Sequence, residues 1–144
     1  MPGMLHELSE PSLEECMEQF RRLAGRLPRR DKAVSMDTYV IYWASFKRQL
    51  AVAAARCLLK LVPAVKAVYY TELSEDYAGR DVDLVIVLEE NLHGFREVED
   101  TIEAILSKLA RAAGIDEGDM SLFEVHLKDS FIGSRSHLVL LAQR

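Results

Sequence analysis

The sequence predicts an α+β fold: a mixed or antiparallel sheet of three to four strands with helices packed on it, preceded by two N-terminal helices. Three observations carry that expectation. Apolar residues recur at helical spacing as far as Leu61, the period then shortens to β-rich runs after Pro63, and only a polar loop separates the first two of those runs. A doubly wound sheet needs a helix in that gap, so neighbouring antiparallel strands are expected instead. At 144 residues and 49% hydrophobic content the chain reads as one domain, with 1–62 as its helical part and 63–144 as the sheet-bearing core.

Leu13, Cys16, Met17, Phe20, Leu23, Ala24 and Leu27 form one apolar stripe after a start signal at Ser9 and Pro11, which predicts a first helix ending at Pro28. Arg29-Arg30-Asp31-Lys32 then makes a charged connector, and with Arg21, Arg22 and Arg26 it gathers positive charge in an otherwise acidic chain. The cluster lacks interleaved aromatic residues, so a solvated face is preferred to a phosphate or nucleic-acid contact. From Met36 to about Leu61 apolar residues fall on nearly every helical face. Such a helix needs cover on several sides, either at the centre of the fold or in a homodimer. Within it Tyr39, Tyr42, Trp43 and Phe46 have the spacing of a core stripe rather than of a base-stacking platform.

Val65 to Thr71 is rich in β-formers and reads as the first strand, followed by a polar loop to Arg80. Asp81 to Leu88 reads as the second, and its continuous run Leu84 to Leu88 predicts burial on both faces at the sheet's centre. Phe95, Val98, Ile102, Ile105, Leu106, Leu109 and Ala113 repeat at helical spacing, with Glu97, Glu99 and Asp100 early, Lys108 and Arg111 late, and Gly114 as the stop. Met120 to Leu127 predicts a third strand with Glu124 and His126 on one face. Ser130 to Ser136 reads as loop, and His137 to Ala142 reads as a last strand or a short helix, its short apolar run Leu138 to Leu141 favouring the strand.

The formal charge of −5 argues against broad adhesion to nucleic acid or anionic membrane, without excluding a local contact. Cys16 and Cys57 fall on apolar helix faces and read as reduced packing residues. With no signal-peptide pattern at Met1-Pro2-Gly3-Met4 and with charges interrupting Val52 to Val68, a cytoplasmic protein without a membrane span is expected.

Asp81 and Asp83 lie two apart, so on a strand they project from one face at its beginning. Carboxylates that close repel, and the arrangement is stable when a divalent cation or a strong hydrogen-bond network compensates; a solvated strand entrance beside a turn is the other explanation. Glu124 is the natural third ligand if its strand lies beside the aspartates. His126 beside it suits a proton shuttle or simple packing. A metal-dependent nuclease also combines Asp and Glu on adjacent strands, but the usual lysine position two residues after Glu124 is His126, with Lys128 one step further.

Strand, polar loop and then Gly79-Arg80-Asp81-Val82-Asp83-Leu84-Val85-Ile86-Val87 resembles the polymerase-β-like superfamily, in particular the minimal nucleotidyltransferases, over roughly Val65 to Leu127. The resemblance implies Mg²⁺ or Mn²⁺ held by Asp81, Asp83 and Glu124, with Glu124 also activating the attacking hydroxyl. It places Thr71 and Arg80 beside a nucleoside triphosphate whose nucleoside monophosphate would be transferred. Where the family has a Gly-Ser turn, this chain has Thr71-Glu72, which removes a close backbone approach to phosphate and adds a negative charge. Gly133-Ser134-Arg135-Ser136 resembles that turn but follows the aspartates. Two readings therefore stand: a metal-dependent nucleotidyltransferase, and a catalytically weakened relative that binds nucleotide or a protein partner, with the N-terminal helices serving a homodimer or a small helical protein.

Overall fold

In the computed structural model, which describes residues 2–28, 35–71, 82–90, 92–115, 122–128 and 138–144, two helices come first: α1 (Pro2–Ala24) and α2 (Met36–Leu61). Strands β1 (Val65–Thr71) and β2 (Val82–Leu88), helix α3 (Phe95–Ala112), and strands β3 (Phe123–Lys128) and β4 (Leu138–Gln143) follow. The fold is α+β, and the four strands form one mixed sheet in the order β3-β2-β1-β4. β1 is antiparallel to both β2 and β4, whereas β2 and β3 are parallel. The difference follows from the connections. The 18 residues of α3 return the chain along the sheet between β2 and β3, as a parallel pair requires.

The α1 boundaries differ from the sequence expectation at both ends. The helix begins at Pro2 and carries Pro11 inside it, so the loss of one backbone donor there does not terminate it. It stops at Ala24 instead of Pro28, because Gly25, Arg26 and Leu27 turn tightly, donating to Arg22, Leu23 and Ala24 carbonyls at 3.2, 2.8 and 3.2 Å. Helix α2 starts where Ser35 caps it, with Ser35 Oγ accepting from the Thr38 N–H at 3.1 Å. At its other end the Arg144 side chain donates to the carbonyls of Leu59, Val62 and Val65, supplying donors and positive charge where the helix leaves carbonyls unsatisfied.

α2 packs against α1, α3, β1, β2 and β4, which places it at the centre of the fold. Trp43, Phe46, Leu50, Ala54 and Leu58 are buried along it, and the Trp43 ring meets Phe46 edge-on at 5.5 Å. The predicted aromatic stripe needs one correction. Tyr42 is 49% exposed, because successive helical positions diverge by about 100° and the face set by Trp43 and Phe46 leaves it outside.

The cysteines also depart from the expectation. Cys16 and Cys57 are joined in a disulfide, Cα to Cα 6.0 Å, linking α1 to α2 within the core. Apolar helix faces alone specify that each thiol is buried, not that the two faces meet at the same level. Antiparallel pairing of the helices brings them there, and it also aligns Glu15 with Lys60 at 2.6 Å and Arg26 with Gln49 at 2.9 Å. The bond withdraws the cysteine argument for a reducing compartment. Among the described residues no helix is long and apolar enough to cross a membrane.

Helix α3 ends on a Schellman arrangement. Gly114 N–H donates to Arg111 O and Ile115 N–H to Ala110 O, both at 3.0 Å, with Gly114 at φ 81° and Ile115 buried. A Cβ on Gly114 would meet Ala24 Cβ at 3.8 Å, an ordinary contact, so the backbone conformation alone opposes substitution. Gly114→Ala is expected to cost about 1 kcal/mol in urea unfolding, while Gly25→Ala, at a glycine without positive φ, costs less.

Candidate metal centre

The two faces of the sheet have different fates. Val82, Leu84, Ile86 and Leu88 of β2 join the core shared with the helices. By strand alternation Asp83, Val85 and Val87 point to the other face. Parallel pairing sets Asp83 directly opposite Glu124 and Val85 opposite His126, so the Asp83, Glu124 and His126 side chains share that second face.

One ligand atom from each of these three residues lies within 4.8 Å of the other two. His126 Nε2 stands 3.8 Å from Glu124 Oε1, longer than a hydrogen bond, with both side chains more than half exposed. Oδ1 of Asp83 is buried, on a strand with partners on both sides. Ligands bound to a cation at about 2.0–2.3 Å stand at most about 4.6 Å apart, so holding an ion here would need only rotamer adjustments of the exposed pair. Two carboxylates supply negative charge and the imidazole supplies a nitrogen. Magnesium prefers an all-oxygen shell, whereas a mixed oxygen and nitrogen set suits manganese and other first-row divalent ions.

Among the sequence-predicted site residues, Asp83 and Glu124 come together, and Asp81 and Arg80 lie outside the described residues. Thr71 is the half-buried last residue of β1, paired with Leu138. The β1–β2 register, continued by one residue from Tyr70 opposite Leu84, brings Thr71 beside Asp83. Glu72 and the run 133–136 are outside the described residues, as is the Lys128 side chain. His126 joins the cluster as a third donor, whereas the sequence offers it as a proton shuttle, a packing residue or the occupant of the nuclease lysine position. The two-residue spacing from Glu124 was the signal. Lys47, a charged residue only 2% exposed in α2, had no such signal, because it occurs inside an otherwise ordinary helical run.

The chain matches no protein-family model, no curated protein and no solved structure.

Proposed function

We propose that this chain is a divergent nucleotidyltransferase-type domain that binds a divalent cation, Mn²⁺ in preference to Mg²⁺, and through it a nucleoside triphosphate. The observation that carries the reading is the convergence of Asp83, Glu124 and His126 on the sheet face away from the helices. The order of an antiparallel strand pair, a helix and a parallel third strand supports it. A bound divalent ion would neutralise phosphate charge and polarise a phosphoryl oxygen.

Within this reading Asp83 anchors the site from the central strand, and Glu124, exposed at its rim, can accept a proton from an acceptor hydroxyl. Thr71, next to Asp83, offers a hydroxyl donor where a glycine backbone would otherwise approach phosphate. With glutamate following it, phosphate positioning is weaker than in a Gly-Ser turn, so binding is expected to outlast efficient transfer.

Mn²⁺ should add to any stabilisation by nucleoside triphosphate in EDTA a further shift in melting temperature equivalent to about 2.7 kcal/mol at a hundredfold excess over Kd for the metal centre. Asp83→Asn should abolish that shift. A triphosphate that stabilises the wild type equally in EDTA, or not at all with Mn²⁺, contradicts the reading. A protein-interaction role is the second reading, favoured by exposed Met36, Ile41 and Tyr42 on α2 and Val139 and Leu140 on β4. Sedimentation showing a concentration-dependent dimer that Ile41→Glu dissociates would support it.

A further inference from the structure

Away from the sheet, α1 and α2 enclose an open groove of about 460 Å³, a size that suits a small ligand. Arg22 on α1 faces Arg48 and Arg56 on α2 across it, and Leu23 and Val52 contribute an apolar floor. Arg48 and Arg56 are two helical turns apart, about 12 Å along the axis. Among the described residues no Asp or Glu lines the groove, although the chain has 23 acidic and 18 basic residues. Glu14, Glu15 and Glu18 of α1 are engaged elsewhere. Glu14 and Glu18 bind Arg21 at 2.9 and 2.8 Å, the former bond leading in raising the Arg21 pKa, and Glu15 binds Lys60.

The basic cluster noticed in the sequence therefore divides by structure. Arg21 is neutralised on the surface, whereas Arg22 is directed to a site where positive charge arrives from both walls. Guanidinium forks match phosphate oxygens in pairs of parallel hydrogen bonds. Arg22 and Arg56, brought from the two walls, together exceed what a single monoanion can satisfy, and the apolar floor accommodates an uncharged portion. We infer that the α1–α2 groove binds a small oligophosphate, held by Arg22 and Arg56, at a site separate from the metal centre.

Calorimetric titration of the full chain with inorganic tripolyphosphate in EDTA tests this, with ATP as a second arm. Binding of both at similar affinity assigns recognition to the phosphates, and tighter binding of ATP adds a contribution from the floor. Arg22→Glu and Arg56→Glu should each weaken binding by about tenfold or more, Arg22→Gln by less. Arg96→Glu, the same charge change on exposed α3, should leave it within about twofold. Asp83→Asn should leave it unchanged, since failure of the metal centre is a separate event. The inference is overturned if tripolyphosphate does not bind, if Arg96→Glu is as damaging as Arg22→Glu, if Asp83→Asn abolishes binding in EDTA, or if a single-stranded oligonucleotide binds while tripolyphosphate does not.

Discussion

Reducing the Cys16–Cys57 bond, or replacing both cysteines by alanine, is expected to lower the free energy of unfolding by about 3–4 kcal/mol. The bond closes a loop with a sequence separation of 41, and a cross-link of that length removes much of the freedom of the unfolded chain between α1 and α2. Both sulfurs are in the core, so the reduced thiols remain packed and the loss falls mainly on the unfolded ensemble. Against a total stability of about 5–15 kcal/mol, this is a large fraction. Urea unfolding with and without reductant measures it. Equal midpoints, or two thiols titrating in the native oxidised protein, would contradict the pairing.

The second large effect is on metal affinity. Asp83→Ala is expected to weaken Mn²⁺ binding by about a hundredfold, since even outer partners of metal ligands contribute about 10–100-fold. Asp83 is the best-held of the three, on a central strand with one carboxylate oxygen buried, so its position costs little further ordering on binding. Glu124 and His126 are exposed on edge strand β3 and must each surrender rotamer freedom. His126→Ala should therefore reduce Mn²⁺ affinity by about tenfold while affecting Mg²⁺ least, because magnesium gains little from imidazole nitrogen. Competition between the two ions in an electron paramagnetic resonance titration reads both numbers. Equal loss for Mg²⁺ and Mn²⁺ in His126→Ala would remove the imidazole from the site.

Much of this fold was legible in the chain because local and tertiary signals agree. Met36 and Leu61 bound α2 as the periodicity predicts, the apolar run Leu84 to Leu88 is buried, and α3 ends at its glycine. The α1 start was misplaced because a proline inside a helix gives the same local cue as one at its first turn. Tyr42 misled because an aromatic on a nearly all-apolar helix carries no mark of which face is covered. The disulfide was hidden for a related reason: its partners meet only through the relative level of two helices far apart in sequence.

At the candidate site the spacing of Glu124 and His126 defines a shared face, but only the β2–β3 register brings Asp83 level with Glu124. A slip of one residue would send Asp83 beside a side chain of the opposite face. Long-range register is a property of sheet packing, and no local pattern in either strand states it. The Arg22, Arg48 and Arg56 groove has the same origin, since the sequence shows basic residues but not which helix face they occupy.

An anomalous-difference map from a crystal of the protein soaked in Mn²⁺ addresses the three-ligand cation site without reference to activity. A peak within about 2.0–2.4 Å of Asp83, Glu124 and His126 atoms is the predicted result. A map with no peak on that face of the sheet, or with Mn²⁺ bound only elsewhere, would contradict it.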